Sequence, residues 1–226
     1  MKRRDFLRST SLLLPVVWGG LSAGLPEKLF GQPTENNMFS LSIVTDKPSE
    51  TIHNVENIFR FSKYSNFNIN FSEYKLVGKH VADFALIENG NLVNYLKNGS
   101  EFSKYLRKTA QNLSFPKNVT DPALLIFSAG NSGKPQYFDV SVSNKLVKRI
   151  PVNTKNGIYK INGIKGKLEL EINGKSAKVF SSSCRHKTCL EMGEIKNPGE
   201  NLVCIPEQIS ISVSGTRKGN IDSVTF

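Results

Sequence analysis

Residues 179–214, VFSSSCRHKTCLEMGEIKNPGENLVCIPEQISISVS, contain all three cysteines of the chain and one of its three histidines. The rest of this stretch has the pattern of short strands, as in QISISVS, where apolar and polar residues alternate. The cysteines are therefore placed within a β-rich segment, and this is where we expect any chemistry of the protein to lie.

The same strand pattern extends through residues 136–226, where helical periodicity is absent. Asn173 and Gly174 form a residue pair typical of a two-residue hairpin turn. Short strands are predicted over residues 137–142, 146–152, 157–161, 167–172, 177–181, 202–205, 208–213 and 221–226. Many short strands separated by Gly and Asn residues predict a small all-β domain, either a barrel or a sandwich.

Residues 38–130 instead alternate between helical and strand patterns. Val55, Ile58 and Phe59 share one face of a predicted helix, and a second helix is predicted from about Glu101. The order β-α-β-β-α-β, with one additional hairpin strand, predicts a ferredoxin-like α/β sandwich. Residues 131–135 form a linker by their Gly, Ser and Pro content. The chain is thus predicted to be α+β, with an α/β domain followed by an all-β domain.

The β-rich part carries an ordered set of short motifs after the Asn173-Gly174 turn. In chain order these are Cys184, Cys189, Gly193-Glu194-Ile195, Pro198-Gly199 and Val203-Cys204-Ile205-Pro206. This succession resembles the NusG domain II family, a β-rich domain that is found inserted in some NusG transcription factors and, alone or fused, in exported bacterial proteins. The resemblance covers residues 136–226 and implies a fold rather than an activity. It does not imply transcription, because no second small barrel with the usual elongation-factor motif is visible.

The first 31 residues have the features of a twin-arginine export signal. Arg3 and Arg4 are followed by the apolar pair Phe6 and Leu7, and then by a moderately apolar run over residues 12–25. Proline and three glycines interrupt this run, which is shorter than the roughly 20 apolar residues of a membrane span. We therefore expect export by the Tat translocase, and a periplasmic or membrane-associated location in the cell envelope.

The chain is basic, with 30 Lys and Arg against 19 Asp and Glu and a formal net charge of +11. Such a surface can favour an anionic membrane or an acidic partner, although scattered lysines on strands are usually only solvated faces. Nucleic-acid binding is disfavoured, because no aromatic residues are interleaved with the basic ones to form a stacking surface. We therefore expect the partner to be an unidentified envelope protein.

The odd number of cysteines is compatible with a disulfide and one remaining thiol. Cys184 could pair with Cys189 or with Cys204, and either loop would contribute about 2–3 kcal/mol in the chain-entropy model. Our hypothesis is a Cys184–Cys189 disulfide with Cys204 beside it on the neighbouring strand. The basic residues at 185–187 could lower the pKa of a nearby thiol, which would allow thiol–disulfide exchange and a redox role.

The same residues also suggest a metal site. Cys184, His186, Cys189 and Cys204 form a Cys₃His set that suits zinc. The loop is also similar to the ligand loops of a Rieske iron–sulfur cluster, but the position of the second histidine is occupied by Glu207. Both sites remain alternatives to the disulfide.

No set of catalytic residues is predicted from the sequence. The three serines at 181–183 lack the flanking glycines of a nucleophile elbow, and the GNSGK segment at 130–134 lacks the spacing and the hydroxyl of a phosphate-binding loop. The sequence therefore favours a binding or assembly module without a cofactor over an enzyme. The alternative is a redox-active or metal-binding envelope protein that uses the four residues of the Cys₃His set.

Overall fold

The computed structural model describes residues 38–130 and 133–215. The predicted export signal, with Arg3, Arg4, Phe6 and Leu7, and the strand predicted over residues 221–226 lie outside the described residues. Within the described part, strands predominate over helices. None of the helices in those two ranges is long and apolar enough to cross a membrane.

The first part of the chain folds into an antiparallel sheet with the strand order β2-β6-β1-β3-β4, and β5 also pairs with β3. The side chains of β1 alternate between two apolar clusters, since Phe39, Leu41 and Ile43 belong to one and Val44 to the other. The elements are β1 (Phe39–Thr45), α1 (Pro48–Arg60), β2 (Asn70–Lys75), β3 (Lys79–Glu88), β4 (Asn91–Val93), α2 (Glu101–Asn112), β5 (Lys117–Thr120) and β6 (Ala123–Ala129).

The predicted order of strands and helices is present, but the ferredoxin-like arrangement is not. In that arrangement β2 would pair with β3, whereas here β2 pairs with β6, with Asn70 opposite Ser128. The second edge of β3 is already occupied, because β4 pairs with one end of it and β5 with the other. The short connection after β2 is fixed by Leu76, which is fully buried and donates its N–H to the carbonyl of Pro122.

Both helices pack on one face of this sheet. Ser100 caps α2, because its hydroxyl accepts a hydrogen bond from the N–H of Ser103 at 3.2 Å. Each helix buries a single apolar stripe, as expected for an amphipathic surface helix. The shared core is rich in aromatic rings, whose centroids lie between 4.2 and 6.4 Å apart; the rings are Phe39, Phe59, Tyr64, Phe67, Phe71, Phe102 and Phe127.

The second part of the described chain is made of two small antiparallel sheets around a common core. One has the order β12-β13-β7-β8 and the other β11-β10-β9. Among the described residues these sheets do not close into a barrel, because no strand of one sheet pairs with a strand of the other. The strands are β7 (Pro135–Val142), β8 (Lys145–Pro151), β9 (Gly157–Asn162), β10 (Lys167–Asn173), β11 (Ser176–Ser182), β12 (Asn201–Cys204) and β13 (Ile209–Gly215).

The predicted hairpin at Asn173 and Gly174 is confirmed. Asn173 pairs with Ser176 at the end of the β10–β11 ladder, and Gly174 has φ of +61°. This left-handed conformation is the one that a two-residue hairpin turn requires and that glycine adopts without strain.

The two parts share a core and belong to one compact unit, which includes the described residues 38–130 and 133–215. Val44, Ala85 and Leu124, on the sheet face away from the helices, join the same apolar cluster as the β-rich part. Asn144 adds a polar link, because its side-chain amide accepts from the N–H of Leu92 and donates to the carbonyl of Leu92. The cysteine-containing loop is therefore packed against the first sheet.

The backbone at the end of β6 lies directly against the predicted Pro198-Gly199 motif. A Cβ atom added to Gly130 would lie 2.1 Å from the carbonyl oxygen of Pro198, and one added to Gly199 would lie 2.5 Å from the Cα of Gly130. Gly199 also has φ of +94°. The two glycines thus allow a close approach of two backbone segments that no other residue would permit.

Candidate functional site

The three cysteines come from three adjoining elements. Cys184 follows the end of β11, Cys189 lies in a short 3-10 helix over Thr188–Met192, and Cys204 is the last residue of β12. The 3-10 helix packs against both strands. Lys187 precedes it in the left-handed conformation, with φ of 53°, where the chain turns back between the first two cysteines.

The structure brings all three predicted cysteines together. Their Sγ atoms all lie within 4.8 Å of one another, and those of Cys184 and Cys189 are 3.9 Å apart. All three are buried, and no disulfide joins them. The Cys184 and Cys189 sulfurs are thus farther apart than the roughly 2.05 Å of a disulfide, but close enough for local rotation to join them.

The surroundings of Cys204 and Cys189 shift the pKa values of their thiols in opposite directions. The pKa of Cys204 falls to about 6, because the Cys189 thiol donates to its sulfur, and the N–H of Glu207 donates as well, while burial opposes this shift. The pKa of Cys189 rises, because its proton is held by the Cys204 sulfur and because burial disfavours a second thiolate. In the reduced cluster Cys204 is therefore the thiolate and Cys189 keeps its proton.

His186, the fourth residue of the predicted metal set, does not join the sulfurs. No nitrogen of His186 belongs to the group of atoms that lie within 4.8 Å of one another in the described part of the chain. Its Nδ1 lies 3.0 Å from the carbonyl oxygen of Lys79, and since a carbonyl only accepts, Nδ1 carries the proton. The histidine faces the cavity beside the cluster without completing a four-ligand set.

The carboxylate of Glu207 is also not part of the group formed by the three sulfurs in the described part of the chain. The backbone N–H of Glu207, however, donates to the Cys204 sulfur. Its carboxylate is buried and accepts hydrogen bonds from the Lys165 N–H at 3.2 Å and the Ser183 hydroxyl at 3.3 Å. Cβ atoms added to Gly163 and Gly166 would lie within 3 Å of this side chain. The residue that replaces the second Rieske histidine therefore anchors the loop between β9 and β10.

His80 is a further residue of the site, and no sequence motif pointed to it, because it is a lone histidine at the start of a strand. It is buried at the start of β3, with 4% of its surface exposed. Its Nε2 donates to the carbonyl of Val77, and its Nδ1 accepts from the hydroxyl of Thr188, each at 3.0 Å. His80 thus ties the first sheet to the 3-10 helix that carries Cys189.

A cavity of about 260 Å³ lies between the first sheet and the cysteine loop. Its wall is mainly apolar, and all three cysteines contribute to it. The lining residues are Ser42, Val44, Val81, Asp83, Ala85, Leu124, Cys184, His186, Thr188, Cys189, Met192, Val203, Cys204, Ile205 and Pro206. The thiolate of Cys204 is therefore next to a space that could admit a small group or a partner side chain.

The β-rich part matches a known family. Residues 114–217 match the family model for NusG domain II. No curated protein matches the chain. A DUF1312 family protein from Ruminococcus gnavus is 26% identical over 35% of this chain and 99% of its own, with a TM-score of 0.32. One from Enterococcus faecalis is 24% identical over 35% of this chain and 97% of its own, with a TM-score of 0.34.

A third solved structure, the Lin0431 protein from Listeria innocua, is 18% identical over 37% of this chain and all of its own, with a TM-score of 0.35. The family match begins before the predicted domain boundary at residue 136, since it includes β5 and β6. The resemblance predicted from the cysteine motifs is thus confirmed for one part of the chain: residues 114–217, a little under half of it, match NusG domain II.

Proposed function

We propose that this chain is an exported envelope protein whose cysteine cluster is a thiol–disulfide centre within a binding or assembly module. The observation that carries this proposal is the convergence of three buried sulfurs within 4.8 Å beside an apolar cavity. A purely structural disulfide needs two cysteines, and the third, Cys204, accepts a hydrogen bond from the N–H of Glu207, which lowers the pKa of its thiol independently of the other two cysteines. This is the feature expected of an exchange-competent thiol.

The proposed chemistry has an oxidation and an exchange. Oxidation joins the sulfurs of Cys184 and Cys189, whose two hydrogens and two electrons pass to a disulfide-bearing envelope protein and leave that protein with two thiols. In the exchange, the Cys204 thiolate attacks the Cys189 sulfur. The Cys189–Cys204 bond forms, the Cys184–Cys189 bond breaks, and Cys184 leaves as a thiolate with no net redox change.

The Cys184–Cys189 pair is the proposed resting disulfide. These two sulfurs are 3.9 Å apart, and five positions separate the residues in sequence. A loop this short contributes about 2 kcal/mol of stability in the chain-entropy model. In this form the disulfide staples the 3-10 helix to the end of β11, and Cys204 stays available in the cavity.

The location and the partner belong to the same proposal. The Arg3-Arg4 signal supports export by the Tat translocase, and the net charge of +11 supports an acidic envelope partner or an anionic membrane surface. The cavity offers such a partner a site at which one of its side chains can reach Cys204.

We expect one disulfide and one free thiol in the full chain purified from the periplasm without reductant. Alkylation before and after reduction, followed by intact-mass measurement and peptide mapping, should show Cys204 alkylated in the first step. Cys184 and Cys189 should be alkylated only after reduction. Three thiols that react before reduction, in protein trapped with acid at lysis, would contradict the proposed resting state.

A further inference from the structure

We propose that the reduced cluster binds one soft monovalent metal ion, Cu(I), through the sulfurs of Cys184, Cys189 and Cys204 alone. This inference rests on the proposed function only in that it concerns the reduced form of the same three cysteines. It differs from the zinc site predicted from the sequence, because it assigns no ligand role to His186.

The donor set and its size fit such an ion. Thiolate sulfur selects soft ions such as Cu(I), and it also suits zinc and iron–sulfur clusters. Binding of the ion would displace the proton of Cys189 to solvent, because a metal-bound thiol is deprotonated. The sulfur triangle has one side of 3.9 Å and none longer than 4.8 Å, so an ion centred in it would lie no more than about 2.8 Å from each sulfur. The usual metal–thiolate distance is about 2.3 Å, so only small side-chain rotations would close the site.

The missing fourth ligand favours Cu(I) over zinc. A structural zinc site has four protein ligands, whereas Cu(I) is satisfied by three sulfurs. The nearby candidates have other partners: Met192 Sδ accepts from the Val203 N–H at 3.4 Å, and the Glu207 carboxylate accepts from the Lys165 N–H. Water is a poor fourth ligand here, because the adjoining cavity is lined mainly by apolar side chains.

The surroundings orient the sulfurs in the way that outer-shell groups do in metal sites. The N–H of Glu207 donates to the Cys204 sulfur, and the Ser182 hydroxyl lies 3.9 Å from that sulfur. The same hydroxyl accepts from the N–H of Cys184 at 3.2 Å. Ser182 therefore links two of the three ligands, and such links usually strengthen metal binding.

The test is a competition between a Cu(I) chelator and the full chain, reduced chemically and kept anaerobic. We expect one Cu(I) per chain and protection of all three thiols from alkylation in the wild-type protein. Cys204→Ser should weaken Cu(I) binding by at least about 100-fold, because losing a ligand costs more than losing an outer-shell partner. The matched control His186→Ala, in the same loop, should bind within about threefold of wild type.

The inference would be overturned by an absence of Cu(I) binding against the chelator, or by thiols that stay reactive when Cu(I) is added. Stronger binding of zinc, lost in His186→Ala, would overturn it in favour of the four-ligand site. Wild-type thiol protection remains decisive if Cys204→Ser fails to fold. Because the protein is reduced before the test, failure to bind Cu(I) leaves the thiol–disulfide proposal standing, and failure of the disulfide leaves this test intact.

Discussion

Replacing Gly130 with alanine is expected to destabilise the folded protein by about 3 kcal/mol, at the upper end of the usual cost of overpacking. The new methyl group would lie 2.1 Å from the carbonyl oxygen of Pro198 and 2.6 Å from the Cα of Gly199. Both contacts are with backbone, which cannot rotate away as a flexible side chain could. Urea unfolding followed by circular dichroism would measure the change in the free energy of unfolding.

Gly99 provides the matched control. A Cβ atom at Gly99 would have no heavy atom within 4 Å, and its φ lies outside the left-handed region. Gly99→Ala should therefore change the free energy of unfolding by less than about 1 kcal/mol, and in the stabilising direction if at all. Equal stability of the two variants would show that the backbone contact between Gly130 and Pro198 is not formed.

The second large effect concerns the thiolate. In the reduced protein the Cys204 thiolate should form with a midpoint at about pH 6. Cys189→Ala should move this midpoint up by roughly one pH unit or more, because the Cys189 thiol is the main group that stabilises the thiolate. The pH dependence of Cys204 alkylation, followed by peptide mapping, measures both midpoints.

Cys184→Ala is the control for this experiment, and its effect should be smaller, because hydrogen bonding from Cys184 contributes less than that from Cys189. The folded state lowers the pKa of Cys204 from 9.0 to about 6, so the thiolate stabilises the fold fully above pH 9. This contribution is lost as the pH falls towards 6. A midpoint that is the same in Cys189→Ala and in the reduced wild type would contradict the assigned hydrogen bond.

Local sequence patterns predicted much of the β-rich part. Strand alternation located most of its strands, and the Asn173-Gly174 pair located a hairpin, because both depend on residues close together in the chain. The grouping of Cys184, Cys189 and Cys204 was also visible, since short loops and adjacent strands limit how far apart they can lie.

Long-range pairing could not be read in the same way. Whether β2 pairs with β3 or β6 depends on which strand edges remain free, and the sequence of β2 does not specify its partner. The two small sheets likewise have strand patterns that would also fit a closed barrel.

The candidate site could likewise be predicted only in part, because some of its contacts join residues that are far apart in the sequence. His80 is separated from Thr188 by 108 positions, so nothing local to it indicated that its ring nitrogen would meet the cysteine loop. His186 belongs to the Cys₃His set proposed as an alternative from the sequence, yet its Nδ1–H donates to the carbonyl of Lys79 on the first sheet. The apolar cavity arises from the packing of both parts, and neither sequence segment predicts it alone.

The most direct test of the thiol–disulfide centre is a redox titration of the full chain in glutathione buffers, with acid trapping and peptide mapping at each potential. We predict a reversible two-electron transition in which the Cys184 and Cys189 peptides become linked, while Cys204 remains free or forms the exchanged pair with Cys189. Three thiols that stay reduced across the whole range, or a disulfide that cannot be reduced without unfolding, would contradict it.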